Sequence, residues 1–261
     1  MPRIALGLEY DGTDFIGWQI QPTGRSIEGV LAAAVSFVAG EPTNVHGSGR
    51  TDAGVHALQQ VVHFETRVNR TPRQWLLGIN SNLPADATVR WIQEMPADFD
   101  ARRSAVSRRY RYTILQQATR PALLRRRVWW LRQALNCSAM TAAATGWLGE
   151  HDFSAFRAAG CQAKSPMRRL MAVQIAARQH GTGTLVTFEF TANAFLQHMV
   201  RNFVGTLVVV GSGEMSPADA AAILRNRDRK VAGETAPAAG LVLVEALYPA
   251  HYGVPRCLDE A

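Results

Sequence analysis

The segment 47–57, GSGRTDAGVHA, brings glycines, one cation and one carboxylate into a short stretch. Its glycines allow backbone turns that other residues avoid, and they let a ligand approach the chain closely. Arg50 and Asp52 stand two positions apart in it, and a free aspartate is ionised and available for chemistry at neutral pH. Composition by itself favours a plainer interpretation, a surface turn that the Asp52 side chain closes.

Two enzyme classes that use histidines or carboxylates fit this chain poorly. A metal-dependent nuclease could draw on Asp52, His56, His63 and Glu65, but their spacing fits no standard ligand pattern, and His63 lies within a predicted strand. A glycosidase needs two carboxylates that face one bond, and Asp52 alone has a loop context. The sequence therefore predicts no metal site.

Basic residues are concentrated in one part of the chain. Arginine supplies 26 of the 28 basic residues, and the net charge is +7. Residues 101–149 contain ten of these arginines and no Asp or Glu. Uniform codon bias would not concentrate the excess in this way, whereas a guanidinium matches phosphate oxygens bidentately. This basic block predicts a polyanion partner, with a solvated basic face as the alternative.

Cysteine usage and hydropathy indicate where the protein works. The three cysteines, Cys137, Cys161 and Cys257, are odd in number and form no CxxC element, which predicts reduced thiols. The N-terminal residues meet an acid too early for a signal peptide, and the longest apolar stretch, 203–210, is too short to span a membrane. We therefore expect a cytoplasmic protein with no membrane segment.

The elements that would position these residues are predicted from periodicity and turn residues. Apolar residues alternate at 4–10, which predicts a half-buried strand. Ser26 can cap a helix, and Thr71 followed by Pro72 starts a second one. The other predicted strands of this half lie at 44–48, 58–65 and 89–95.

The second half repeats this order. Its predicted elements are a strand at 107–115, a helix from Ser138 to about Gly149, a hairpin at 170–178 and 185–191 that turns at 179–183, helical spacing at 196–207, a helix from Ser216 and a strand at 241–247.

Each half follows the order β-α-β-β-α-β, which is the split βαβ or ferredoxin-like arrangement. The predicted fold class is α+β, with two such halves that share a mixed, mainly antiparallel sheet and have the active cleft between them. We place the N-terminal half at 1–100, with the Asp52 loop. The C-terminal half is placed at 101–261, with Tyr110, the basic block and Arg201.

Seven segments of the chain resemble one family. The loop GSGRTDAGVHA matches the signature of the tRNA pseudouridine synthase A family. The other matches cover almost the whole chain in the family's order, and they are YDGTDFIGWQ (10–19), FDARRSAVSRRYRY (99–112), GEHDFSAFRA (149–158), CQAKSPMR (161–168), NAFLQHMVRN (193–202) and GLVLVEALYP (240–249).

The resemblance implies isomerisation of uridine to pseudouridine at nucleotides 38, 39 and 40 in the anticodon arm of tRNA. The family breaks the glycosidic bond at N1 and rejoins the uracil to the sugar through C5. It needs no cofactor, because reactant and product are isomers. Asp52 matches the family's invariant aspartate. Attack on C1′ of the sugar and removal of the 2′ proton both remain open as its first step.

The resemblance assigns roles to three further side chains. Arg201 would form an ion pair with the Asp52 carboxylate. Tyr110 would stack on the uracil, and its hydroxyl could help to remove the C5 proton. Arg50 would hold the flipped nucleotide or fill the space that it leaves. The pattern alone also allows Tyr110 as a core residue and Arg201 as a helix-surface residue.

Other matching positions would form the uracil pocket and the tRNA surface. Leu241 and Leu243 resemble apolar residues that line the pocket, although they could be plain strand-core residues. Predicted tRNA contacts fall on Phe99, Asp100, Ala101, Arg102, Arg103, Cys161, Gln162, Ala163, Lys164, Ser165 and Arg168. The family also implies a homodimer in which one tRNA contacts both subunits. Two departures, Arg103 in place of an aromatic residue and Glu28 in place of Gln, bear on RNA contacts.

A protein that only binds RNA, such as a chaperone, is the main alternative. It would explain the arginines. It would not explain an intact Gly-Arg-Thr-Asp loop together with matching residues at Tyr110 and Arg201.

Overall fold

The structure, a computed structural model, describes residues 1–257. Over these residues it contains five α-helices and ten β-strands, so the predicted α+β class is confirmed. The strands are β1 (Arg3–Tyr10), β2 (His46–Gly47), β3 (His56–Glu65), β4 (Ala87–Met95), β5 (Ser107–Gln116), β6 (Trp129–Leu131), β7 (Gly149–Asp152), β8 (Met167–His180), β9 (Gly183–Ala192) and β10 (Leu241–Leu247). The helices are α1 (Ile27–Ala39), α2 (Pro72–Asn82), α3 (Cys137–Thr145), α4 (Met199–Gly211) and α5 (Pro217–Asn226). None of the helices in this part of the chain is long and apolar enough to cross a membrane.

The chain forms two compact units. Of the described residues, the first contains Met1–Ser107 together with 242–257, and the second is Arg108–Leu241. The division into 1–100 and 101–261 differs from these units because the chain returns to the first unit at its end. There β10 pairs in parallel with β3, with Val242 opposite His56. The shared sheet and the cleft between the halves stay predictions.

The sheet of the first unit has the strand order β4-β1-β3-β10. β1 is antiparallel to both of its neighbours, and β2 pairs with β3. Since β1 is central, it is buried on both faces rather than half-buried. Ala5 packs against Val61 and Phe99, and the Trp91 indole lies directly on Gly7. Small residues at alternate positions of β1 therefore mark a second covered face.

The helices of the first unit begin where the sequence predicts. The Ser26 side chain accepts a hydrogen bond from the N–H of Gly29 at the start of α1. Thr71 and Gln74 form a reciprocal capping box at the start of α2, where Pro72 needs no hydrogen-bond partner for its nitrogen. α1 and α2 pack together, and Gly78 lets the backbone of α2 approach Val38.

The second unit has the strand order β5-β9-β8-β7, with every pair antiparallel, and β6 runs parallel to β5. The predicted hairpin forms from β8 and β9. Its turn contains only Gly181 and Thr182, because both strands extend further than the pattern indicates. β6 and β7 were not predicted, since three or four residues are too few to show a period.

Two helices of the second unit begin elsewhere than predicted. α3 is capped by Asn136 rather than Ser138, and it ends at Thr145. α4 begins at Met199 rather than near Leu196, because His198 has a φ of 63° and cannot belong to a right-handed helix. α5 begins after Ser216, as predicted.

Candidate active site

Asp52 lies in the first unit, in the turn that leads into β3. Its backbone forms an isolated antiparallel bridge with Gly17, and the N–H of Trp18 donates to the Thr51 carbonyl at 3.0 Å. Gly17 has a φ of 107°, and a Cβ there would lie 2.7 Å from the Thr51 carbonyl oxygen. The loop 10–19 therefore holds the Asp52 turn through close backbone contact that only glycine permits.

Side chains of β1 and β3 also bind this turn. The hydroxyls of Tyr10 and Thr51 lie 2.8 Å apart, and Gln60 Nε2 donates to a carbonyl of the turn at 2.7 Å. Asp52 is half-buried and Arg50 is exposed. The sequence prediction missed Tyr10, Thr51 and Gln60 as supporting residues, although the first two lie inside matching motifs.

Two histidines of β3 are buried against neighbouring loops. His63 Nδ1 accepts from the N–H of Ala101 at 3.1 Å. His56 Nδ1 lies 3.1 Å from the nitrogen of Gly12 and 3.0 Å from the Asp11 carboxylate. Burial lowers the pKa of His63 to about 4, so its ring is neutral at neutral pH. Within residues 1–257, no group of three or more His, Cys, Asp or Glu residues could hold a metal ion.

The predicted tRNA-contacting segment 99–103 is a tight turn whose side chains point in two directions. Phe99 and Ala101 are buried in the first unit's core. The Asp100 carboxylate accepts from the N–H groups of Arg102 at 2.9 Å and Arg103 at 2.8 Å. Burial opposes the ionisation of Asp100, but these donors outweigh it and hold its pKa below the usual range. Only the side chains of Arg102 and Arg103 are exposed to solvent in this turn.

Two tyrosines of β5 have different surroundings in the second unit. Tyr112 is completely buried, and its hydroxyl donates to the Pro237 carbonyl at 2.8 Å. Burial raises its pKa. Tyr110 is half-exposed, and its ring meets Phe195 edge-on with centroids 5.2 Å apart. Tyr112 is thus the core tyrosine of the strand, and Tyr110 has a ring that a planar ligand can reach.

Arg201 lies in the first turn of α4, a helix that is otherwise almost entirely buried. Its Nε donates to the Ala236 carbonyl at 2.6 Å. The two leucines predicted for the pocket, Leu241 and Leu243, are both buried strand residues, and Leu243 pairs with Ala57 at the end of the Asp52 signature.

The second predicted tRNA segment, 161–168, is held together by two arginines. Arg157 donates to the carbonyls of Cys161 and Ala163, at 2.5 and 2.8 Å. Arg168 donates to the carbonyls of Ser165 and Met167, at 3.0 and 2.6 Å, and burial lowers its pKa. Arg168 therefore shapes this loop. The exposed side chains here are those of Gln162, Lys164, Ser165 and Met167.

The ten arginines of the basic block have different environments. Arg111 forms an ion pair with Glu189 at 2.6 Å, and Arg109 lies 3.5 Å from the same carboxylate. Arg108 donates to the carbonyl of Asn193. The exposed members of the block are Arg102, Arg103, Arg120, Arg125, Arg126, Arg127 and Arg132. Glu189 lies outside residues 101–149 but neutralises charge within them. A count over the sequence of the block therefore overstates the positive charge that a partner would meet.

Known proteins similar to this chain share one description. The sequence model of a family described as tRNA pseudouridine synthase matches residues 8–102 and 143–249. A tRNA pseudouridine synthase A of Klebsiella pneumoniae is 48% identical over 253 residues, which cover 97% of this chain and 92% of that protein. Proteins of the same name from Alcanivorax borkumensis and Coxiella burnetii are 48% and 44% identical over 256 residues, and 94% and 97% of their lengths are covered.

A solved structure of a Cbf5–Nop10–Gar1 complex contains a chain that matches 92% of this chain and 49% of its own length. Its sequence identity is 9% and its TM-score is 0.38, so nothing further rests on it. The family match spans most of the chain, includes the Asp52 turn and agrees with relatives over nearly the full length. The chain belongs to the tRNA pseudouridine synthase family.

Proposed function

We propose that this protein converts uridines 38, 39 and 40 in the anticodon arm of tRNA to pseudouridine, with Asp52 as its catalytic carboxylate. Isomerisation of tRNA uridine follows from membership of the family. The nucleotide positions and the role of Asp52 rest on the resemblance of the segments 10–19 and 47–57 to the family's motifs.

The observation that carries the role of Asp52 is its fixed position. The turn is bridged to the backbone of Gly17 and is also hydrogen-bonded to the side chains of Tyr10 and Gln60. A catalytic group gains most when it is held in place before the substrate arrives. The reaction breaks the N1–C1′ bond and forms a C5–C1′ bond. The proton on C5 is lost and N1 gains one, so no oxidant or reductant is needed.

We propose that Arg201 and Tyr110 have separate roles in this reaction. We propose that the Arg201 guanidinium pairs with the Asp52 carboxylate, while its Nε is committed to the Ala236 carbonyl. The half-exposed ring of Tyr110 would stack on the uracil, and its hydroxyl would assist loss of the C5 proton. Leu241 and Leu243 would form the apolar wall of the uracil pocket.

The exposed cations are proposed to bring the tRNA to this site. Arg50 would hold the flipped nucleotide, since it is exposed two residues from Asp52. Arg102, Arg103 and Lys164 are exposed and suited to phosphate contact. We further propose a homodimer that binds one tRNA across both subunits, and a cytoplasmic location, where tRNA is modified.

Mapping of the product tests the proposed positions. The protein is incubated with unmodified tRNAs that carry uridine at 38, 39 or 40, or at none of these, and pseudouridine is located by carbodiimide adducts that stop primer extension. We expect adducts at the three positions only, each seen as a stop one nucleotide to its 3′ side. Pseudouridine confined to other nucleotides would refute the assignment to the anticodon arm and leave the enzyme class intact.

A further inference from the structure

Two polar residues of helix α4 are completely buried, and both bind the segment that precedes β10. Asn202 and Thr206 are each 0% exposed. Asn202 Oδ1 accepts from the Thr235 hydroxyl at 2.7 Å and from Arg229 at 3.0 Å. The Thr206 hydroxyl accepts from the N–H of Gly233 at 2.9 Å. The segment 229–237 therefore lies along the first turns of α4.

Arg229 forms the centre of this contact. Its guanidinium donates to Asn202 Oδ1, to the Thr235 hydroxyl at 3.1 Å and to the Gly233 carbonyl at 2.8 Å. These acceptors are neutral oxygens, and burial lowers the pKa of Arg229. Because no carboxylate is among these acceptors, the contact gains little from charge pairing. Its hydrogen bonds instead hold Gly233, Thr235 and Asn202 in fixed positions around the guanidinium.

Close packing fixes the register between the segment and α4. A Cβ on Gly205 would lie 1.7 Å from the Glu234 carbonyl oxygen, and a Cβ on Gly233 would lie 2.6 Å from the backbone of Gly205. Neither backbone can slide without a clash. The contact between Gly205 and residues 233–234 thus fixes where residues 233–236 lie along α4.

Near its C-terminal end, the same segment forms two hydrogen bonds with Arg201. The N–H of Ala236 donates to the Arg201 carbonyl at 3.2 Å, and Arg201 Nε donates back to the Ala236 carbonyl at 2.6 Å. Thr235, bonded to both Asn202 and Arg229, immediately precedes Ala236. The Ala236 carbonyl, which orients the Arg201 guanidinium, therefore follows directly on a residue that a half-buried polar network holds in place.

We propose that Thr235 and Arg229, through Asn202, are positioning residues for Arg201 in the isomerisation step. They hold the Ala236 carbonyl in place, and that carbonyl directs the guanidinium of Arg201. The proposal rests on the role assigned above to Arg201. None of the three residues needs to touch the substrate, so their loss should slow chemistry and leave tRNA binding unchanged.

Thr235→Val tests the proposal with little change in shape, since it removes only the hydroxyl. Misplacement of a catalytic group by about 1 Å costs up to ~10²-fold, so we expect the single-turnover rate to fall by ~10-fold or more. The dissociation constant for tRNA should stay the same. Thr235→Ser, which keeps the hydroxyl, should retain the wild-type rate. Arg229→Lys keeps the charge but cannot make the forked hydrogen bonds, so it should also slow the reaction.

A double-mutant cycle separates positioning from general stability. Arg201→Lys keeps a cation but lacks Nε, so it should slow the reaction, and Thr235→Val should then add little. An equal loss from Thr235→Val in both backgrounds would overturn the positioning role. So would a wild-type rate in Thr235→Val or a slowed Thr235→Ser. If Arg201→Ala itself turns over normally, the proposed function of Arg201 fails instead, and the positioning role falls with it.

Discussion

Tyr110 and Tyr112 lie two residues apart on β5. Removal of the hydroxyl should mainly lower the reaction rate at Tyr110 and mainly lower the stability of the fold at Tyr112. Tyr110→Phe keeps the half-exposed ring that faces Phe195. Loss of an acid–base hydroxyl should lower the single-turnover rate by ~10²-fold or more. Binding of tRNA should not change, because ring stacking survives.

Tyr112→Phe is the matched control, since it removes a buried hydroxyl from the same strand. The Pro237 carbonyl would lose its donor at 2.8 Å. Loss of one intramolecular hydrogen bond lowers the free energy of unfolding by ~0.5–1.5 kcal/mol, which corresponds to a fall in the melting temperature of ~2–4 °C per kcal/mol for a chain of this size. Pro237 follows Ala236, whose carbonyl accepts from Arg201, so the single-turnover rate should fall too, but by less than in Tyr110→Phe.

Tritium release from C5-labelled tRNA and a thermal melt on each variant complete the comparison. A Tyr110→Phe protein with the wild-type rate would reduce Tyr110 to a stacking surface. If Tyr112→Phe lost the rate and kept its melting temperature, the assignment of the two tyrosines would be reversed.

Three further outcomes are expected. Replacement of the exposed residues 125–127 by Ala should lower the slope of log K for tRNA binding against log salt concentration, by ~0.7–0.9 for each of these arginines that binds a phosphate. Arg90→Ala, which breaks a pair with Glu9, is the control and should leave the slope unchanged. An unchanged slope in the 125–127 variant would show that these arginines do not contact RNA. Arg50→Ala should impair a uridine in a stacked arm more than one in flexible single-stranded RNA, and equal losses would remove the flipping role. Because the pKa of His63 is about 4 when folded and ~6.5 when unfolded, the unfolded state takes up the extra proton first as the pH falls. The free energy of unfolding should therefore fall by up to ~3 kcal/mol between pH 6.5 and 4, and His63→Asn, whose amide oxygen can replace Nδ1, should show a smaller fall in chemical denaturation.

Local signals predicted most of the elements. Ser26, Thr71 and Ser216 start helices where hydroxyl caps and prolines indicate them, because capping acts over three or four residues. α4 begins later than its apolar period because His198 adopts a left-handed conformation, which no periodicity reports. The short strands β6 and β7 depend on their partners and carry no pattern of their own.

Among the site residues too, those with a local sequence signal could be predicted and those that depend on distant parts of the chain could not. The Asp52 turn could be located by its motif, and its Gly54 has a φ of 77°, a backbone conformation that favours glycine. The return of β10 to the first unit could not be predicted, because the pairing of Val242 with His56 joins residues far apart in the chain. Asn202 and Thr206 were overlooked, although a buried polar side chain in an apolar helix is a signal that a hydrogen-bonded partner exists.

The most direct test of the account is single-turnover tritium release by Asp52→Asn on tRNA labelled at uracil C5. Asp98→Asn, an exposed carboxylate of the same unit, is the matched control. The account predicts that Asp52→Asn releases no tritium while it binds tRNA normally, and that wild type and Asp98→Asn release it equally with and without EDTA. Release by Asp52→Asn within ~10-fold of the wild-type rate would contradict a catalytic role for this carboxylate.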